Sequence, residues 1–403
     1  MKILCVLSKF AYGKPERGEN YDYVHFLPAF ERMGHEVSLF DTGDREPYRD
    51  FAELNAALLD HVARFRPDVI FSVLMHYEIW IETLDLVRKE SPAVIINWGT
   101  DDSWKFAQAS KFFAMHVDLH VTTSRTAELQ AKSEGLCNVM LSQWAASTGD
   151  LAVPRVAKDC RYEVSFVGNL YGYRGEWISE LRSSGINVAN FGHGSERGVV
   201  DAREIPGIYN NSLISLNFSG AGVSGLGQRS RQIKARTFEV PGAGGFLLTE
   251  VAPDLEEYFV IGDEVAVFSS PSDLITKVKY YLDNHSQRDR IANAGYSRTC
   301  DWHTYEKRFA EILTRLQPVL DERRNRAWSL NVADLTPAIV QHRAIGVLSW
   351  LRELLIALFV LSFGKKRGMR AARRFLYELS WRVFGEATYR ARGLPGRLFY
   401  AES

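Results

Sequence analysis

Cysteine is scarce: four residues in 403, at positions 5, 137, 160 and 300, with no Cys-x-x-Cys pair among them. That excludes a disulfide framework and a zinc knuckle, and it fits a reducing cytoplasm. The opening MKILCVLSKF lacks the long apolar run and small-residue cleavage site of a secretory signal, so it reads as a first core strand. No fixed repeat period and no low-complexity stretch occurs. After the first strand the sequence runs Ser8-Lys9-Phe10-Ala11-Tyr12-Gly13-Lys14, without a Gly-x-Gly-x-x-Gly fingerprint. Dinucleotide oxidoreduction therefore loses its usual support. Net charge is absent too, with 49 Lys and Arg against 49 Asp and Glu.

The neutral total hides an asymmetry. From Val319 to Ser403 there are fifteen Lys and Arg against seven Asp and Glu, which leaves 34 against 42 in the first 318 residues. Within that tail, residues 346–363 (GVLSWLRELLIALFVLSF) are apolar except for Arg352 and Glu353, and Lys365, Lys366, Arg367, Arg370, Arg373 and Arg374 follow. Spanning a bilayer needs about 20 mostly uncharged residues, and a central arginine alone costs about 2.5 to 3.5 kcal/mol. The order of apolar run and basic cluster therefore points to a helix lying on an anionic membrane surface through residues 344–374. The other reading of the same residues is a helix packed on the body of the protein with a solvated basic face.

The apolar content, 46% with 12% aromatic, is ample for packed cores, and the length suits two domains plus an appendage. Over the first 150 residues short apolar runs alternate with longer amphipathic ones, the pattern of a parallel sheet flanked by helices. Strands are expected at 2–8, 36–41, 68–73, 93–98, 119–123 and 138–142. Helices are expected at 21–33, ending at Gly34, at 51–65, ending before Arg66-Pro67, and at 103–115 behind Asp101-Asp102. The alternation restarts with strands at 163–167, 187–190, 213–217, 245–249 and 265–268, closed by helices at 272–283, 286–295 and 303–316. The fold class is α/β: two Rossmann-like domains, at 1–157 and 158–318, with parallel sheets facing a central cleft, and a helical C-terminal extension at 319–403.

Ligands of such sheets bind at the carboxyl ends of the strands. Two stretches carry the chemistry expected there. In Phe166-Val167-Gly168-Asn169-Leu170-Tyr171-Gly172-Tyr173-Arg174, Gly168 lets backbone amides approach a diphosphate and Arg174 neutralises it, with Asn169 and Tyr173 between them. In the stretch from Lys234 to Glu250, Lys234 and Arg236 meet phosphate oxygens while Glu239, one helical turn on, accepts two hydrogen bonds from a ribose diol. Gly242, Gly244 and Gly245 make an elbow from helix to strand, which serves either a closely approaching ligand or the turn itself. The ligand these groups suit is a nucleotide-sugar. Were that diphosphate to leave in a transfer reaction, Lys234 and its cationic neighbours would stabilise its growing charge.

An acceptor hydroxyl must also lose a proton. The first domain offers His76, Asp101 and Asp102, all at expected strand ends, with Asp101 the preferred group; capping the helix that follows is the other reading of both aspartates, more so of Asp102. For His303, which opens a helix, a packing or capping role is expected.

The run through Lys234, Glu239, Gly245, Leu255-Glu256-Glu257-Tyr258-Phe259, Ala294-Gly295-Tyr296 and His303-Thr304-Tyr305 resembles the CgeB-type, spore-maturation-like branch of GT-B glycosyltransferases over about residues 160 to 318. The first domain resembles it more loosely, through Gly34-His35-Glu36-Val37 and Asn97-Trp98-Gly99-Thr100-Asp101-Asp102-Ser103-Trp104. This resemblance implies a donor held mainly by the second domain and a metal-independent transfer that retains anomeric configuration. Its retaining members often carry two glutamates eight positions apart; Glu239 matches the second, while Arg231 stands at the first, where it adds positive charge at the diphosphate. The expected function is transfer of a sugar from a nucleoside-diphosphate sugar to a glycan or lipid-linked acceptor on the cytoplasmic membrane face, without a cofactor. The alternative, raised by Arg231, is a non-catalytic nucleotide-sugar or glycan-binding subunit.

Overall fold

The computed structural model describes residues 1–220, 231–344, 346 and 348–400. Its chain divides into two units, one made of residues 1–142 and 313–403, the other of residues 143–312.

The first unit is built on a six-stranded sheet in the order β2-β1-β3-β4-β5-β6, with β1 Lys2–Leu7, β2 Glu36–Asp41, β3 Val69–Ser72, β4 Val94–Gly99, β5 Leu119–Thr122 and β6 Val139–Leu141. All its pairings are parallel. Strands covered on both faces have no side to show to water, which is why β1, β3 and β4 are predominantly apolar. One face carries Phe26, Phe30, Phe71 and Trp98 in mutual ring contact. Asn20 caps the Tyr21–Arg32 helix through the amide of Tyr21, and Asp50 caps Phe51–Phe65 through the amide of Glu53. The second of these helices stops at Arg66, whose left-handed φ of 52° breaks the hydrogen-bond ladder ahead of Pro67.

The helix expected at 103–115 is not continuous. It consists of Asp102–Lys105, a π turn at Phe106–Ser110, and Lys111–Ala114. Two side-chain contacts hold the wide turn open: Ser110 Oγ donates to Asp102 at 2.5 Å, and the carbonyl of Gln108 accepts from the hydroxyl of Tyr389 in the tail.

The second unit has a five-stranded parallel sheet in the order β11-β10-β9-β7-β8, with β7 Tyr162–Val167, β8 Val188–Phe191, β9 Ser212–Asn217, β10 Leu247–Glu250 and β11 Ala266–Phe268. The Pro271–Asp283 and His285–Trp302 helices cover it, and the Tyr305–Arg323 helix carries the chain back into the first unit.

The units part from the expected boundaries in two places. Residues 143–157 belong with the second unit because Ala146 pairs with the 303–305 segment (Ala146 N to His303 O 2.9 Å, Tyr305 N to Ala146 O 3.0 Å) and Ala152 N donates to Gly242 O at 3.1 Å. The tail is no separate module: Leu335, Ala338, Tyr377, Tyr389 and Ala391 enter the first unit's own core. Arg323 fastens its beginning, donating to Asp118 Oδ2 at 3.0 Å and to the carbonyl of Ala93 at 3.1 Å. His342 Nδ1 meets the carbonyl of Ala391 at 3.0 Å.

His303 has the packing role expected of it. Its Nε2–H donates to the Tyr258 carbonyl at 2.9 Å, its Nδ1 accepts from Arg308 at 2.9 Å, and Phe238 and Phe259 flank the ring. This is the neutral imidazole. Burial, with Arg308 and Arg298 nearby, lowers its pKa to about 4 against the Tyr258 carbonyl bond, which favours the charged form. A folded-state pKa below the unfolded value gives stability that is fully present above about pH 6.5 and lost as pH falls toward 4. We therefore expect His303→Asn to be less stable than wild type at neutral pH and to show a flatter decline between those limits. The gap between the two proteins should shrink by on the order of 2 kcal/mol in denaturant titrations across that window; parallel pH curves would contradict the assignment.

Candidate functional site

The strand ends of the second unit gather charge around β7. Gly168 follows that strand, and its amide donates to Phe191 O at 2.8 Å. A Cβ at Gly168 would lie 3.2 Å from Arg236 Nη1 and 3.0 Å from the Phe166 ring, so glycine leaves room for the guanidinium over the backbone. Next to it Gly192 has φ of 125°, and a Cβ there would come within 2.5 Å of the Gly168 carbonyl. The loops after β7 and β8 are thus pressed together and cannot carry side chains at these two points.

Two arginines converge on this floor. Arg174 opens the Arg174–Ser183 helix and is only 2% exposed, with its guanidinium 4.2 Å from the Tyr171 ring centre. It donates to the carbonyls of Asn169 at 3.2 Å and Gly220 at 3.3 Å, while its Nε has no partner among the described residues. Arg236 opens the Arg236–Gly242 helix; its Nε donates to Asn217 Oδ1 at 3.1 Å. The buried Asn217 amide donates in turn to Thr249 Oγ1 at 3.0 Å, so β9 and β10 together aim the guanidinium. Both guanidiniums lie within 6 Å of the Phe166 ring centre. Burial and then the charge of Arg236 push the pKa of Arg174 down. Like charges held this way repel each other, and an anion placed between them relieves the repulsion.

A buried carboxylate lies beside them. Glu250, which ends β10, accepts from the amides of Ser219 at 3.0 Å and Gly220 at 3.2 Å and from the Tyr173 hydroxyl at 2.5 Å. Arg231 Nε pairs with its other oxygen at 3.1 Å. Burial, followed by this carboxylate, pushes the Tyr173 phenol well above its ordinary range. Tyr173 and Arg231, expected at the donor, are therefore held on Glu250.

The other expected residues fall into two groups. Lys234 and Glu239 are half-buried at the entrance to, and in the middle of, the Arg236–Gly242 helix. Burial and then the Glu239 charge raise the pKa of Tyr209, which places the carboxylate near that phenol. Asn169 contributes its carbonyl to Arg174, and its side chain accepts from the amide of His193 at 3.3 Å. The space beside Gly244 and Gly245 is filled by the protein itself. A Cβ at Gly244 would meet the Ala152 carbonyl at 2.4 Å and Asn210 Nδ2 at 2.7 Å, and one at Gly245 would meet the Tyr209 carbonyl at 2.9 Å. The elbow packs on the protein itself, so of the two roles open to these glycines the turn is the one observed.

In the first unit His76 follows β3 and Asp101 follows β4. His76 Nδ1 accepts from Lys105 Nζ at 3.2 Å. Burial lowers the pKa of Lys105 to about 8 even though Glu78 and Asp101 act to raise it. Asp101 has a neighbour the sequence did not single out. Asp22, in the first turn of the Tyr21–Arg32 helix, is buried, and burial followed by the Asp101 charge pushes its carboxyl up to about 7. Asp102 is not the cap expected of it, since its carboxylate turns inward to His120 Nε2 at 2.8 Å and Ser110 Oγ. His120 Nδ1 accepts from Asn97 Nδ2 at 3.2 Å, which fixes the ring as donor to Asp102. Burial favours the protonated acid, but His120 and the hydrogen bonds outweigh it and hold Asp102 below the usual carboxylate range.

Sequence reasoning missed Glu250, Asn217 and Asp22. Glu250 carried one usable signal: an acidic residue closing the apolar run that becomes β10.

Residues 162–314 match the model of the Glycosyl transferase-like family. Among curated protein sequences, none matches the chain significantly. Several solved structures share the fold. Sucrose-phosphate synthase from Thermosynechococcus elongatus superposes with a TM-score of 0.57 at 10% identity, covering 80% of this chain and 100% of that one. Anabaena HepE, solved in complex with UDP-glucose, gives 0.54 at 11% identity over 79% and 100%. A glycosyltransferase from Rickettsia africae gives 0.51 at 11% over 81% and 99%. The chain thus has the two-domain, parallel-sheet fold of the GT-B glycosyltransferases, and its second domain carries the glycosyl transferase-like family match.

Proposed function

We propose that the protein is a glycosyltransferase of the CgeB-type branch that moves a sugar from a nucleoside-diphosphate sugar to a glycan or lipid-linked acceptor at the cytoplasmic face of a membrane, with retention and without a metal. The observation that carries this reading is the pair of guanidiniums, Arg174 and Arg236, held together over the glycine floor after β7. The UDP-glucose complex of HepE, a protein of the same fold, supports the ligand class.

In the transfer, the bond between the anomeric carbon and the diphosphate oxygen breaks and a bond to the acceptor oxygen forms. Negative charge grows on the departing diphosphate. Arg236, Arg174 and Lys234 stabilise it there, and pre-aimed cations do so without reorganising at the moment of reaction. Glu239 accepts the ribose hydroxyls. Asp101 takes the acceptor proton, with His76 as the second candidate.

Titration calorimetry with UDP-, GDP- and dTDP-sugars tests the donor site. One of these donors should bind, and Glu239→Gln should weaken it by on the order of tenfold, the worth of a charge-assisted hydrogen bond pair reduced to neutral ones. An unchanged isotherm from a folded variant would reject the role of Glu239. A non-catalytic binding subunit is the second reading, favoured by Arg231, which stands where many of the retaining enzymes have a carboxylate and is paired with Glu250. Release of free nucleoside diphosphate in the presence of a native acceptor excludes it.

A further inference from the structure

The tail's two long helices, Leu348–Phe363 and Lys365–Phe384, form a hairpin about Gly364. It closes tightly: a Cβ at Gly368 would lie 2.5 Å from Val360 Cα. One side of the first helix is used internally, with Leu355, Ile356 and Phe359 packed on Ala372, Leu376, Leu398 and Phe399. The opposite side is apolar and bare. Trp350, Leu354, Leu358 and Leu361, spaced four, four and three apart on one helical face, are 57, 48, 53 and 86% exposed. No residue of this helix is fully buried. An amphipathic helix docked on a protein core does not look like this, because its apolar stripe is the part that is covered.

What covers the stripe is indicated by charge. Six Lys and Arg fall between residues 365 and 374, and no acidic residue appears before Glu378. Lys365, Arg367, Arg370 and Arg374 are exposed. Their density suits an anionic partner, and a stripe of leucines with one tryptophan suits hydrocarbon at its boundary with headgroups. Among the described residues no single helix is long and apolar enough to cross a membrane; Val332–Arg343 and Leu348–Phe363 meet that measure only together, across a 56° bend.

We propose that this hairpin docks the protein on an anionic lipid surface, with the stripe of Trp350, Leu354, Leu358 and Leu361 in the headgroup boundary and the exposed arginines on lipid phosphates. The proposal gives residues to the membrane location stated above and rests on the tail alone. Its failure leaves the donor site standing.

Co-sedimentation of the full chain with vesicles of phosphatidylcholine, with and without phosphatidylglycerol, tests it. Wild type should pellet with the anionic vesicles, and added salt should weaken the binding. Arg370→Glu with Arg374→Glu should lower the partition coefficient more than tenfold, at about fivefold per charge removed near the surface. Leu358→Glu with Leu361→Glu should do the same while leaving nucleotide-sugar titration in solution unchanged. Wild type that stays in the supernatant overturns the proposal, as do paired variants that pellet equally well. So does wild type that self-associates in sedimentation velocity through Leu358 and Leu361 without binding vesicles, since the face would then belong to a second copy. Release by high salt or alkali is expected of surface docking, and retention after both would assign the bent pair to a span and overturn docking.

Discussion

Arg236→Ala is expected to weaken binding of the nucleoside diphosphate on the order of 100-fold, because a charge-assisted contact to phosphate in a partly dry site contributes about 2 to 3 kcal/mol. The variant should stay folded. Its cost to stability is the buried Asn217 Oδ1 left without its donor, about 1 to 2 kcal/mol. Arg236→Lys should recover part of the affinity, since it restores the charge but not the planar fork that Asn217 and the Phe166 ring orient. Titration calorimetry beside thermal denaturation separates the two effects. Arg174 is the poorer probe because it is nearly fully buried and holds the carbonyls of Asn169 and Gly220, so its removal damages the loop as well as the charge.

Arg288→Met is expected to have the largest effect on stability, destabilising the second unit by about 3 to 5 kcal/mol. The guanidinium is 0% exposed. It donates to Leu213 O at 2.8 Å, Arg155 O at 2.8 Å and Ser212 O at 2.9 Å, and pairs with Asp289 at 3.0 Å. One side chain thereby ties the entry segment of the unit, the start of β9 and the His285–Trp302 helix together. Methionine keeps most of the volume but removes the guanidinium's hydrogen bonds to three carbonyls and the counter-ion of Asp289. For a unit of this size the loss corresponds to roughly 10 °C in Tm. A shift of a degree or two would show that water replaces the guanidinium at little cost.

The sheets were legible because a parallel strand buried on both faces is a continuous apolar run, and every expected strand is found within two residues of its place. Helix ends were legible wherever a local residue sets them, as with Asn20, Asp50 and Arg66-Pro67. Features decided by contacts distant in sequence were not. The π turn at Phe106–Ser110 depends on Tyr389, nearly three hundred residues on. Glu250 and Asn217 matter through partners on neighbouring strands and loops, and Asp22 through burial beside Asp101. Local spacing shows that a charge is present but not what it faces, which is why the contacts of Arg231 and Tyr173 to Glu250 were not legible. The same limit explains the tail. Its basic and apolar pattern was plain, but that Tyr377 and Tyr389 join the first unit's core while the Trp350–Leu361 stripe stays bare depends on where the hairpin lands.

The central claim is that Arg236 and Arg174 form a diphosphate site after β7. Its most direct test is the ratio of affinities for the diphosphate and the monophosphate of whichever nucleoside binds, measured by calorimetry on wild type and on Arg236→Ala. Wild type should prefer the diphosphate strongly, and the variant should lose at least tenfold of that preference while binding the monophosphate nearly as before. An equal ratio in the two proteins would contradict the account, because the guanidinium would then be reading something other than the second phosphate.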